Sequence, residues 1–158
     1  GRDSEIGELL CHSPAIMTGY YQQPELTAEA VVDGWLHTGD IVRVDKDLNV
    51  FFLDRRKDII KTGGMNVSSA EVEGVLRQHP LINDAAVVGR SDPEWSEIVY
   101  AFVEIADGAT WNEISIHDFC NKQLAPYKRP KIYETVDSLP TDAQGKVRKR
   151  ELRERLAD

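Results

Sequence analysis

The sequence predicts an α+β chain in two unequal parts: a small α+β domain with short sheets and flanking helices, preceded by the β-rich tail of a larger domain. Three observations predict it. Short apolar runs with strand alternation recur along the chain. The two long helical stripes fall at 68–80 and 112–124, well into the sequence. Residues 1–54 hold only short strands, turns and one short helix, too little to close a core alone. The expected division is therefore 1–54 and 55–158, with the chain starting inside a domain.

Each element has a local reason. GELLCHS (7–13) reads as a strand. Pro24 precedes ELTAEAVV, a short helix in which Thr27 is the expected cap. DIVRVD (40–45) alternates apolar and polar, KDLN turns, and VFFLD (50–54) returns as the second arm of a hairpin. DIIKT (58–62) is a further short strand, and GGMN (63–66) a turn. In SSAEVEGVLRQHP (68–80), Ser68 and Glu71 have capping-box spacing, Val72, Val75 and Leu76 share a face, and Pro80 ends the helix. DAAVVGR (84–90) and SEIVYAFVEI (96–105) are strands either side of a turn at Pro93. NEISIHDFCNKQL (112–124) is a helix with Ile116, Phe119, Cys120 and Leu124 on one stripe. Pro126 and Pro130 bracket a loop, KIYETVD (131–137) is a strand, and a polar, mobile loop leads to a terminal helix at about 147–157.

Composition bounds the function. The hydrophobic share of 41% and charged share of 29% over 158 residues are those of a globular chain. No apolar run approaches the roughly 20 residues of a membrane helix, and the polar, acidic start Gly1-Arg2-Asp3-Ser4-Glu5 is unlike a signal peptide. Cys11 and Cys120 lack metal-type spacing and read as free thiols of a cytoplasmic protein, Cys120 in the core. Residues 1–120 carry 9 basic and 21 acidic side chains, a balance of −12; residues 121–158 carry 10 and 6, or +4. The acidic body argues against nucleic-acid binding. The basic tail suits a phosphorylated ligand, or is the solvated face of a helix in which Arg148, Lys149, Arg150, Arg153 and Arg155 alternate with Glu151 and Glu154.

Three stretches bear chemistry. In GWLHTGD (34–40), Asp40 follows Thr38-Gly39. A carboxylate there suits a ribose diol, or is a turn aspartate bonding its own backbone. In DRRKDIIKTGGMNVSSAEVE (54–73), Arg55, Arg56 and Lys57 precede Lys61 and a glycine pair. That pair permits left-handed backbone or close approach of a ligand, or is a hairpin turn with charged neighbours. In LPTDAQGKVRKREL (139–152), Gly145 presents Lys146. This is no phosphate-cradling P-loop: Pro140 stands where its first glycine belongs, and Val147 follows the lysine. His12, His37, His79 and His117 have no ligand spacing, and no Ser-His-Asp arrangement is visible.

In this order the stretches resemble the C-terminal part of the acyl- and aryl-CoA synthetases, AMP-forming enzymes of the adenylate-forming superfamily that includes firefly luciferase and peptide-synthetase adenylation domains. The resemblance spans essentially the whole chain, from GELLCHSPAIMTGYYQQPELTAEAV through the three stretches above. Ser13 and Ser69 depart from it, standing where glycine and proline are frequent, and neither falls on a reactive group.

The resemblance implies a ligase that activates a small-molecule carboxylic acid with ATP, giving acyl-AMP and pyrophosphate, and then forms the coenzyme A thioester. It implies Lys146 as the cation between the acid and the α-phosphate, and Asp40 on the ribose hydroxyls with Arg55 near the same nucleotide. It also implies a hinge at Lys57, about which the C-terminal domain turns against its own N-terminal domain. Turning exchanges Lys146 for the face with Gly63 and Gly64, which line the passage for the coenzyme A arm, and Lys61, which joins the thioester site. Lys128 and Arg129 are further candidates for coenzyme A phosphates. ATP, AMP and Mg2+ are held mainly by upstream segments, as is the acid, so this chain alone is expected to be inactive. Fatty acid metabolism and a cytoplasmic setting follow from the same resemblance. The alternatives are an adenylation domain that loads a carrier protein and a non-catalytic interaction module of the same fold. GWLHTGD and KTGGMNV resemble the CoA-ligase form more closely than the peptide-synthetase form.

Overall fold

The computed structural model describes residues 4–157. The chain divides into two compact units between Lys57 and Asp58. That is three residues beyond the 54/55 division, because the second hairpin arm runs on through Arg55, paired with Asp40, into the first unit's sheet.

The first unit is built on one long strand. β1 (Ser4–Cys11), α1 (Pro24–Ala30), β2 (Val31–Val32), β3 (Trp35–Asp45) and β4 (Val50–Arg55) follow in order. β3 pairs β1 along one edge and β2, then β4, along the other, all antiparallel. At eleven residues β3 is longer than the expected short strands and begins five residues before Asp40. It passes through Thr38-Gly39-Asp40 as a bulge: Glu8 pairs Ile41 while Leu10 pairs His37. Thr27 does not cap α1. Gln23 occupies that position and Pro24 begins the helix; the Thr27 hydroxyl, one turn in, donates to the Gln23 carbonyl (2.8 Å) and accepts from the Tyr20 amide (2.9 Å).

The second unit is a mixed sheet with helices on both faces. β5 (Ile60–Thr62) and β6 (Met65–Val67) form a hairpin, followed by α2 (Ser69–Leu76), β7 (Ile82–Asp92), β8 (Ser96–Ile105), α3 (Glu113–Gln123), β9 (Ile132–Val136) and α4 (Lys149–Arg155). The order is β6-β5-β8-β7, with β9 joining β8 in parallel. β7 and β8 read as unbroken apolar runs because both their faces are covered. Ala85, Val87, Val99, Ala101 and Val103 face α2 and α3, packing on Val72, Leu76, Ile116, Cys120 and Leu124. Ala86, Val88, Tyr100 and Phe102 face the other way, against Leu139 and Leu152, with Val147 and Leu156 beside them. Burying a side chain such as Phe102 contributes about 1.5–3 kcal/mol.

α2 is capped as the spacing demands, Ser68 accepting from the Glu71 amide at 3.2 Å. Phe119 is only half-buried and meets His79 edge-on. Burial pushes the Cys120 thiol up, away from its reactive thiolate. No helix among the described residues is long and apolar enough to cross a membrane.

Candidate functional site

The candidate residues fall into four groups. The first lies on the β3–β4 ladder, where register brings Asp40 opposite Arg55. Arg55 Nε stands 2.7 Å from Asp40 Oδ1. The approach lacks hydrogen-bond geometry, so Oδ1 is buried with a charge beside it and no hydrogen-bond donor. Such an oxygen suits a donor that arrives with a ligand. The Thr38 hydroxyl accepts from the Asp40 amide (3.1 Å) and donates to the Leu9 carbonyl (2.7 Å), which fixes the bulge.

Sequence reasoning missed Glu8 in this group. One of its oxygens accepts from the Gly39 amide at 3.0 Å; the other lies 3.4 Å from both His37 Nδ1 and Arg56 Nη1. The GE pair of a strand start gave no local signal, because its partners sit 29 to 48 residues away.

The second group is the β5–β6 hairpin. Gly63 and Gly64 have φ of +54° and +78°, the two positive angles of the tight turn that suits a twisted hairpin. A side chain on Gly63 would meet the Trp95 ring at 2.8 Å, whereas one on Gly64 would meet open space and only backbone strain. Gly63 donates to the Trp95 carbonyl (2.9 Å) and Lys61 N to Glu97 Oε2 (2.6 Å), so the turn is held to the start of β8. The Lys61 side chain points into solvent.

The third group is the Lys146 loop, which the structure shows as a turn closed by its own hydrogen bonds. Asp142 Oδ1 accepts from the Gln144 and Lys146 amides, both at 2.9 Å. The Asp142 amide donates to the Lys146 carbonyl (2.9 Å), and Gly145, at φ +81°, donates to the Asp142 carbonyl (3.0 Å). Thr141 pairs Val147 as an antiparallel bridge. The loop is a stapled hairpin, and Gly145 closes its turn. The amides of Lys146 and Gln144 hold the Asp142 carboxyl below its ordinary value. Leu139 and Val147 root the hairpin's ends in the second core, while Lys146 itself is exposed.

The fourth is Lys57, in a single turn of 3-10 helix, Arg56–Asp58. Arg55 is paired to Asp40 in the first unit; Asp58 is paired to Arg153 of α4 in the second, at 2.5 Å.

Several basic residues are engaged in structural roles. Lys128 Nζ donates to both oxygens of Glu71 at 2.7 Å. Arg129 donates to the Leu124 and Asn121 carbonyls, closing the end of α3. The solvated-face reading of the tail holds for Arg148 and Arg150, in exposed pairs with Glu151 and Glu154. It fails for Arg153 and for Lys149, whose Nζ lies inside the unit, 2.6 Å from Glu73 Oε1. The signal for Lys149 was its helical phase: it shares a face with Leu152 and Leu156 at i+3 and i+7.

The stapled hairpin presenting Lys146 and the glycine-turn hairpin lie on one small α+β unit. The family model described as the AMP-binding enzyme C-terminal domain matches residues 71–146, ending on that lysine. Over those residues, just under half of its length, the chain is similar to the C-terminal domain of adenylate-forming enzymes. It is 47% identical over 96% of its length to the fatty acid–[acyl-carrier-protein] ligase ScoC of Streptomyces coeruleorubidus, spanning 29% of that protein. It is 44% identical over 94% of its length to the 2-succinylbenzoate–CoA ligase of Geobacillus kaustophilus, spanning 30% of it. The crystal structure of ATP-bound MatB from Rhodopseudomonas palustris superposes with a TM-score of 0.89 at 35% identity, over 98% of this chain and 31% of that one. The chain thus spans about 30% of the length of the relatives it matches.

Proposed function

We propose that this chain is the C-terminal part of an AMP-forming acid–CoA ligase. The observation that carries the reading is Lys146, an exposed ammonium on a hairpin whose backbone is fixed by Asp142. In the first half-reaction a carboxylate oxygen attacks the α-phosphorus of ATP; the new P–O bond replaces the bond to pyrophosphate, which leaves with its electron pair. Negative charge gathers between two anionic reactants, and a preorganised cation there lowers the barrier. Lys146 supplies it as a compact point charge on a long stem. Asp40 accepts from the two ribose hydroxyls, a role supported by its buried, donor-less Oδ1, and Arg55 lies against the same nucleotide. The acid, the phosphates and Mg2+ fall to upstream segments.

In the second half-reaction the coenzyme A thiol gives up its proton to solvent. Its sulfur attacks the acyl carbonyl carbon, a C–S bond forms, and the C–O bond to AMP breaks. Gly64, whose side-chain position is open, leaves room for the pantetheine arm, while Gly63, packed on Trp95, shapes the turn beside it, and Lys61 joins that site. The exchange of Lys146 for this hairpin is a rotation about Lys57. The pairing of Arg55 and Asp58 into different units on either side of Lys57 supports a hinge there. A cytoplasmic setting accords with the two free cysteines. A role in fatty acid metabolism, and a carrier protein in place of coenzyme A, form a second reading, favoured by the similarity to ScoC.

The test is ATP–pyrophosphate exchange by the full-length protein across a panel of carboxylic acids, followed by offering the adenylate to free coenzyme A and to a phosphopantetheinylated carrier. Acid-dependent exchange and transfer to coenzyme A are expected, with no exchange by residues 1–158 alone. Transfer only to the carrier would select the second reading, and no exchange with any acid would leave a non-catalytic module. Lys57→Pro fixes the hinge backbone; it should spare exchange and block thioester formation, and unimpaired thioester formation would remove the hinge.

A further inference from the structure

We infer that the buried Lys149–Glu73 ion pair is a positioning device for the Lys146 hairpin, setting where α4 begins and so where that hairpin stands. The inference rests on the role proposed for Lys146. Lys149 is the first residue of α4, three after Lys146. Its Nζ stands 2.6 Å from Glu73 Oε1 and donates to the Ser69 hydroxyl at 2.7 Å. The side chains of Lys149 and Glu73 are only 15% and 8% exposed. The same Glu73 oxygen accepts from the Val87 amide of β7 at 2.8 Å, and Arg77 approaches the other oxygen at 3.8 Å.

Three features separate this pair from a surface salt bridge. First, α4 has seven residues, and its N-cap, Arg148, supplies no capping side chain. Its start is therefore not fixed in the usual way. Second, a cation in the first turn of a helix opposes the helix dipole, so Lys149 is unfavourable there without a carboxylate facing it. Third, the contact joins parts 76 residues apart in sequence (149 against 73), and Glu73 belongs to the helix that follows the Gly63–Gly64 turn. Leu152 in the second core and the Arg148 amide bond to the Pro140 carbonyl (2.7 Å) complete the frame. Lys149 is a positioning residue, acting through Lys146.

Buried ion pairs can be replaced by apolar side chains of similar volume without loss of stability. The full-length protein is therefore made as K149M/E73L, with K149Q/E73Q as a second, charge-free and hydrogen-bonding variant and Lys146→Ala as control. Misplacement of a reacting group by about 1 Å costs on the order of 100-fold in rate. ATP–pyrophosphate exchange by folded K149M/E73L should fall by that factor, with the KM for ATP and thioester formation from supplied acyl-adenylate within about 3-fold of wild type. K149Q/E73Q keeps hydrogen-bonding ends on both sides and leaves no unpaired buried charge, and its exchange should fall about 10-fold with thioester formation intact. If K149M/E73L does not fold, K149Q/E73Q decides. Exchange at the wild-type rate, or equal loss of both half-reactions, in the deciding variant would overturn the inference. If Lys146→Ala leaves exchange intact, the role of Lys146 itself fails. Loss in Lys146→Ala beside wild-type exchange in the deciding variant removes the positioning claim alone.

Discussion

The two units of this chain use β-structure in opposite ways. In the second, β7 and β8 are clad on both faces, and 20 of the 21 buried apolar side chains among the described residues lie there. The first contributes only Val42. It leaves Ile6, Phe52 and Leu48 at 67%, 59% and 80% exposure. Its order comes from ladders and local polar bonds: the β1–β3–β4 register, the Glu8–Gly39 contact and the Asp45–Asn49 turn. A two-core unit can be carried as a rigid body, whereas an antiparallel sheet without a core depends on what lies beyond its own residues.

The largest effect that would sharpen this contrast is separation. Residues 58–158 alone should unfold cooperatively in urea, while residues 1–57 should show no cooperative transition; a cooperative transition in the shorter piece would break the comparison. Within the second unit, Phe102→Ala removes a fully buried ring and should cost about 3–5 kcal/mol, read from the denaturation midpoint of residues 58–158, whereas Phe52→Ala in residues 1–158 should move the second unit's midpoint by about 0.5 kcal/mol or less. Gly63→Ala should cost about 1–3 kcal/mol, because left-handed backbone is combined with a clash on Trp95; Gly64→Ala, strained but unobstructed, should cost less.

A smaller effect separates the units by pH. Burial lowers the His79 pKa below its ordinary value. Its Nδ1 lies 3.2 Å from the Leu81 amide and accepts from it, so Nε2 carries the proton toward Ser115. The unfolded chain then binds a proton that the folded one resists. The neutral ring's contribution is present above the unfolded value of about 6.5 and is lost as pH falls from there toward the lower folded value. His79→Gln should flatten that part of the stability profile for residues 58–158, and an unchanged slope would remove His79 as its source.

The sequence made the second unit readable because its signals are local. AAVV and IVYAFV show strands, Ser68 and Glu71 show a helix start, and Gly63-Gly64 shows a turn. The candidate residues stand in the sequence as residue types in order. What it did not reveal depends on distant partners. Glu8 works through residues 29 to 48 positions away, and Lys149 looked like a solvated cation until Glu73 came opposite. The Lys146 loop read as mobile because polar residues with glycine mark a loop. They do not show that Asp142 will bind the amide of Lys146 and staple the hairpin. Thr27 is a different, local case, since Pro24 one turn earlier already fixes where α1 begins.

The central claim is that the second unit delivers one cation to one of two half-reactions. The direct measurement is Lys146→Ala in the full-length protein, with ATP–pyrophosphate exchange and thioester formation from supplied acyl-adenylate followed separately. Losing a preorganised charge of this kind should slow exchange by about 100- to 1,000-fold or more, with thioester formation within about 3-fold of wild type. Equal loss of both half-reactions, or exchange that survives the substitution, would contradict the account.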